Sequence, residues 1–374
     1  VAPASFPWLD VSRYSFSLGV RSRDTVYLSG HSGSFYDQSL GRVTVGPDMA
    51  AQAKTAWDKV TTLLEAEGLG PEDVVRVVEY VTTDGLAAYA DAQSARRSAL
   101  GAATPAVNVV AVRSLLRPKA LLEVEVVASR GGPAAEVDGV IHLPSILPVD
   151  DAGAIVGAGD VVAQAHRVFE NAIAALHALG LDAGHIVKTV DYSTPETVRQ
   201  YKHTGAARRD HLRPPYPGAA GILMDRLSHP DALFQLDLTA SRHRPEGVNP
   251  GWQRYDKLTY LPAVRAGNVL FMSGQAALDP VTEIALHAGD VVAQADYTYR
   301  NILAVLEAAG AGPDNLVQTV EYVTPAGLPR YREVADVRRE LLREPWPAST
   351  GIVCAGLLRR EFEIEVDPMA VLDA

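Results

Sequence analysis

The chain has almost no cysteine. Cys354 is the single one among 374 residues. That excludes an internal disulfide framework and fits a reducing compartment. Long apolar runs are missing too, since no stretch reaches the ~18–20 residues a spanning helix needs. The first residues carry no basic segment followed by an apolar run, as a secretory signal would, so a cytoplasmic location is expected. Positive charge is in deficit: 34 Lys and Arg face 45 Asp and Glu, for a net charge of −11. This balance argues against nonspecific binding to nucleic acid or to an anionic membrane. The ten histidines never fall in an HxxxH or HExxH spacing, and no Cys/His set exists, so no metal site is expected. No glycine-rich phosphate loop opens a helix after a strand, and no cofactor is expected.

What is present is repetition. Asp290-Val-Val-Ala-Gln-Ala295 matches Asp160-Val-Val-Ala-Gln-Ala165 in all six residues, and Asp48-Met-Ala-Ala-Gln-Ala53 is a worn third copy. The same offsets relate Gly68, Gly180 and Gly310, then Tyr80, Tyr192 and Tyr322, and Tyr89, Tyr201 and Tyr331. They also relate the pairs Arg96-Arg97, Arg208-Arg209 and Arg338-Arg339. From the Asp to Pro105, Pro217 or Pro347 is 57 positions in every copy. This is one domain repeated three times in tandem, over residues 1–131, 132–246 and 247–374. Each repeat is near the usual domain size.

Copy three reads most cleanly. Two short apolar runs flank Arg265-Ala-Gly-Asn268, a hairpin signal. A helical pattern then starts at Asp290 and stops at Gly310. A strand over 316–323, a second helix over 328–342, and strands at 349–354 and 362–366 complete a ββαβαββ order. That order predicts an α+β domain, one mixed sheet with two helices on one face. Copy one follows the same order. In copy two the opening hairpin is compressed into roughly 134–143. The acidic residues Glu79, Asp191 and Glu321 each precede a repeated tyrosine. Recurrence in all three copies predicts that they pair with the repeated arginines as a structural device.

Tyr260, Ser273-Gly274-Gln275, Gly289-Asp290-x3-Gln294 and a late Glu363-Ile-Glu365 together resemble the Rid (reactive intermediate deaminase, YjgF-type) family. The resemblance covers the chain three times over. It implies chorismate-mutase-like domains that associate as a trimer, with ligand clefts between subunits. Here it implies a single-chain pseudo-trimer around a central barrel, acting as a monomer, with further pairing of pseudo-trimers left open. Family enzymes hydrolyse short-lived enamines and imines to a keto acid and ammonia. An arginine after a Pro-x dipeptide holds the substrate carboxylate, a task its fork geometry suits. A late glutamate positions water. That arginine is absent here: Val107, Ala219 and Ser349 stand in its place.

The three clefts differ in what the sequence offers them. Copy two has Gly131 at the tyrosine position, Pro144-Ser145-Ile146 for Ser-Gly-Gln and Gln235 for the glutamate, and reads as a structural copy. Copy one offers Phe16, Ser29, Gly30, His31, Asn108 and Glu123. Copy three offers Tyr260, Ser273, Gly274, Gln275, Ser349, Thr350, Gly351 and Glu363, with Cys354 on the same strand as Ser349. Histidine suits proton transfer near neutral pH, so His31, Glu123 and Glu363 are the expected proton carriers. The others are expected to orient substrate. The expected function is acid/base hydrolysis, tautomerisation or elimination on a small imine or enamine, in one cleft made from copies one and three. Two alternatives stay open: a non-catalytic pseudo-trimer that binds a metabolite or protein, and a chorismatase-like hydrolase. An endoribonuclease role, also attached to the family's name, fits poorly with the charge.

Overall fold

The computed structural model describes residues 1–131 and 136–372. It contains three large mixed sheets. In the first, the strands run in the order 19–22, 25–28, 122–129, 74–82 and 106–112, and His31–Ser32 adds to 122–129. The pairing of 74–82 with 106–112 is parallel and the rest is antiparallel. The second sheet is built around 234–241, 186–193 and 218–223, and the third around 364–371, 316–323 and 348–353, in the same pattern. An 18-residue helix accompanies each sheet: Met49–Ala66, Val161–Ala178 and Val291–Ala308. The second helices are shorter and begin as 3₁₀ turns, as in Leu328–Glu333 followed by Val334–Leu341. No helix among the described residues is long and apolar enough to cross a membrane.

The repeated Asp-x3-Gln motif explains itself here. Asp48, Asp160 and Asp290 are N-caps, each accepting from a backbone N–H in the first turn. That satisfies donors a helix start leaves open. Gln52, Gln164 and Gln294 then clamp the loop before the last strand. Each amide donates to one of that loop's carbonyls and accepts from a backbone N–H: Leu121, Leu233 and Glu363. The most repeated hexapeptide is thus a tie between helix and sheet.

The compressed hairpin of copy two is Glu136–Val137 paired with Val140–His142. Asp138 and Gly139 both have positive φ, 49° and 75°, as a tight Asp-Gly hairpin turn requires. Copy one carries an extra ribbon that its sequence pattern does not announce, Ser34–Asp37 with Arg42–Val45.

The copies are stitched together by backbone. Ser114–Leu115 of copy one pairs with 352–353 of copy three, and Gly356–Leu357 of copy three pairs with 222–223 of copy two. One buried cluster draws on all three sheets and includes Tyr80, Tyr192 and Tyr322. The Tyr192 and Tyr322 hydroxyls lie 3.1 Å apart.

Candidate active site: two carboxyl groups at copy junctions

Each junction sets the turn after one copy's hairpin against a late strand of another. Where copy one meets copy three, Ser29 Oγ accepts from the Ser349 N–H at 2.8 Å and donates to the Ser17 carbonyl. The Gly30 N–H donates to Thr350 Oγ1 at 2.9 Å, and that hydroxyl donates to Glu125. Where copy three meets copy two, Ser273 Oγ accepts from the Ala219 N–H at 2.8 Å, and the Gly274 N–H donates to the Ala219 carbonyl at 3.0 Å. Ser29, Ser273 and Thr350 therefore hold the copies together. Ser349 Oγ is engaged by Thr319. Gly351 packs where any Cβ would strike Leu116 and the Tyr331 hydroxyl.

The carboxyl groups sit beside these turns. Glu123 pairs with Tyr80 in register, and Glu365 pairs with Tyr322. Each is buried, 8% and 9% exposed. A Cβ built on Gly30 would lie 2.2 Å from Glu123 Oε1, and one on Gly274 2.3 Å from Glu365 Oε1. Glycine is thus required where each carboxyl lies against the turn. Neither carboxyl has a hydrogen bond among the described residues. Burial pushes the Glu123 carboxyl up to about 8, against the pull of the Lys59 and Arg117 charges. Burial, helped by Asp367, takes Glu365 up to about 8 as well. Burial thus favours the protonated form of both carboxyls near neutral pH.

The third junction is closed. Ser145 replaces the glycine and Gln235 the glutamate, in register with Tyr192. Gln235 Nε2 donates to the Val109 carbonyl at 2.9 Å, and its Oε1 accepts from Ser228 Oγ at 2.7 Å. Ser145 Oγ accepts from the Val109 N–H and donates to Asp237.

Several expected site residues land elsewhere. His31 is paired with Val124, and directly opposed residues share a face of the sheet. Its ring therefore lies on the core side, against Phe6 and the Leu18 carbonyl, while Glu123 faces the opposite way. Burial pushes His31 down to about 3, so it is neutral and no proton carrier near pH 7. Glu363 lies two residues before the position equivalent to Glu123. Its backbone N–H is clamped by Gln294. The Glu-Ile-Glu repeat hides the difference, because a slip of two residues keeps the same face. Asn108 belongs to the closed junction, donating to the Leu143 carbonyl and accepting from Arg76. Cys354 is fully buried, bonded to the Val323 carbonyl, and its thiol is pushed up to about 12 by burial. Phe16 stays at the junction of copies one and three, next to Ser17, whose N–H donates to the Pro347 carbonyl. Tyr260, Ser273, Gly274 and Gln275 all belong to copy three, whose junction with copy two holds Glu365. The expected single cleft is thus divided between two junctions.

Two cations near Glu123 escaped the sequence reading. Lys59 is buried and donates to the Ser32 carbonyl at 2.8 Å. Burial lowers it to about 7. The other copies have Asn171 and Asn301 at this helix position, capping loop carbonyls in the same way. That difference from its own repeats was the available signal. Arg117, in the loop after Ser114–Leu115, is half-exposed, and its charge reaches Glu123 and Lys59. Among the described residues no group of three or more His, Cys, Asp or Glu side chains could hold a metal ion.

Mixed sheets with paired helices, repeated along one chain and bearing a buried carboxyl at two junctions, define a Rid-like α+β protein. The family model described as Endoribonuclease L-PSP matches residues 10–130 and 255–372. The chain belongs to this family, which is also called Rid or YjgF. The middle copy, with its closed junction, lies outside both matched segments. The RutC family protein slr0709 of Synechocystis is 31% identical over 113 residues, 30% of this chain and 85% of that one. Protein DfrA of Myxococcus xanthus is 34% identical over 108 residues, 29% of this chain and 79% of its own. Among solved structures, a chorismatase is similar in fold, with a TM-score of 0.55 and 14% identity, over 80% of this chain and 93% of that one.

Proposed function

We propose that the chain hydrolyses a small imine or enamine, with Glu123 as the proton carrier at the junction of copies one and three. Glu365 is its counterpart at the junction of copies three and two. The observation behind this reading is the unbonded, buried carboxyl of Glu123 lying against Gly30. A carboxylic acid that is protonated near pH 7 can give its proton to the imine nitrogen or the enamine carbon. The resulting carboxylate can then take a proton from the attacking water. The C=N bond becomes C=O, and ammonia leaves. Arg117 supports an anionic substrate at Glu123, in place of the strand arginine.

The test is an ammonia-release assay on imines made in place by an amino-acid oxidase. Glu123→Gln is expected to remove the share of hydrolysis carried by its own junction, and the double Glu123→Gln, Glu365→Gln variant to slow total hydrolysis by about 10²–10⁴-fold, the usual contribution of such a group. Glu365→Gln measures the second site. Activity unchanged in the double variant sinks the reading. The fold likeness to a chorismatase supports a second substrate class, a vinyl ether protonated by the same acid, and an assay with chorismate decides between the two.

A further inference from the structure

A chamber lies among the three sheets, apart from the junction carboxyls. It measures about 70 Å³, and both charge signs meet there: Arg76 and Lys188 with Glu125, Asp237 and Asp367. A single water needs about 10–15 Å³ of such space, so the chamber takes a group of several heavy atoms. His142, Phe271 and Met369 separate it from a smaller vestibule of about 20 Å³. The exposed Asp138 lines that vestibule and opens a route to solvent.

The chamber's wall has bonding capacity left over. Asp237 Oδ2, His142 Nδ1 and Gln318 Nε2 are buried without a close hydrogen bond, although the Gln318 amide still favours the Glu125 carboxylate and the Asn108 amide that of Asp237. The three residues are only 4%, 5% and 5% exposed. Asp237 uses its other oxygen on Ser145. Buried polar groups are almost always well partnered, so three under-bonded groups lining one space point to polar contents. An under-bonded carboxylate oxygen asks for a donor, and an under-bonded amide N–H asks for an acceptor. Lys188 already binds Asp367, and Arg76 donates to Asn108. Neither sign is in clear excess, so a simple anion or cation would meet repulsion on one side.

Position in the repeat adds a second argument. Arg76, Lys188 and Gln318 occupy one equivalent position, and Glu125, Asp237 and Asp367 another, as the strand registers show. A homotrimer would place the same residue three times around such a chamber. Here the first set has three different residues and the second keeps an acid throughout, and copy two supplies Lys188, Asp237 and His142. This is the copy whose own junction is closed.

We infer that the chamber is a binding site for a compact zwitterion, a molecule with an ammonium and a carboxylate a few atoms apart. Its carboxylate meets Gln318 and the Arg76 side, and its ammonium meets Asp237. Glycine is the smallest such probe. Calorimetric titration of the full chain with glycine is expected to show one site, weakened by at least about tenfold in Asp237→Asn, which removes a charge-assisted bond without changing shape. Glu123→Gln is expected to bind glycine as the unaltered chain does, which separates this site from the junction chemistry. A crystal of the unaltered protein soaked in glycine gives the second readout and needs no variant to fold. Glycine density between Asp237 and Gln318 supports the inference. Ordered water alone in the chamber, with a flat titration, overturns it.

Discussion

Gly30 and Glu123 form a single unit, because the carboxyl lies where the glycine has no side chain. Gly30→Ala would put a methyl 2.2 Å from Glu123 Oε1, closer than any real contact, so the carboxyl must swing away. The same methyl would lie 2.7 Å from Thr350 Cγ2, a fully buried group that ties the two copies, so turnover is expected to fall by more than about tenfold and stability by about 1–3 kcal/mol. Steady-state kinetics beside a denaturant melt checks this. The raised carboxyls also fix a pH response. Glu123 and Glu365 hold their protons to about 8 in the fold, whereas the unfolded chain releases them near the ordinary glutamate value, about 4.3. Between those values the folded state binds more protons, so stability falls as pH rises through the window. Melting measured from pH 5 to pH 9 is expected to show a steeper decline for the unaltered protein than for the Glu123→Gln, Glu365→Gln pair. Parallel curves would mean that both carboxyls ionise normally in the fold.

The second helices and central strands show what repetition in a sequence can and cannot reveal. Glu79, Asp191 and Glu321 each receive a tyrosine hydroxyl from the second-helix region, Tyr89, Tyr201 and Tyr331, and an arginine, Arg96, Arg208 and Arg338. Recurrence at fixed offsets was enough to read the acids and arginines as structural partners, while the tyrosine hydroxyls came from the structure. Arg338 also crosses to copy one, donating to Ser15 Oγ at 3.1 Å. Removing one partner of a buried ion pair leaves the other charge uncompensated. Arg338→Met is therefore expected to cost about 3–5 kcal/mol, and Arg96→Met less, since the Arg96 side chain is 15% exposed against 8% for Arg338. Urea unfolding of the two variants tests the order. The site was less legible than these triads. The face on which His31 lies depends on its pairing with Val124, and no local pattern states that pairing. Glu365 was legible in principle, because its spacing from Tyr322 equals that of Glu123 from Tyr80. Lys59 was visible only as a departure from Asn171 and Asn301.

At the scale of the whole chain, three repeats have become unequal. The copy with the closed junction still holds both neighbours. Asp225 of copy two accepts from Arg113 of copy one, and Lys188 of copy two donates to Asp367 of copy three. The backbone exchange between 222–223 and 356–357 adds to this. These contacts are noncovalent, and the segment Arg242–Arg244, which runs from the strand 234–241 of the second sheet toward Glu246–Val248 of the third, is exposed. Cutting there removes only the tether. A tether raises the local concentration of one part near another, and interfaces with buried polar links and shared strands can persist without it. A protease site inserted between His243 and Arg244 is therefore expected to give a nicked protein that elutes as one species. Its melting temperature should become dependent on protein concentration. Fragments that separate on the column would mean that the junctions need the covalent chain. Copy three supplies one side of both junctions, so hydrolysis at Glu123 and at Glu365 should then disappear along with the assembly.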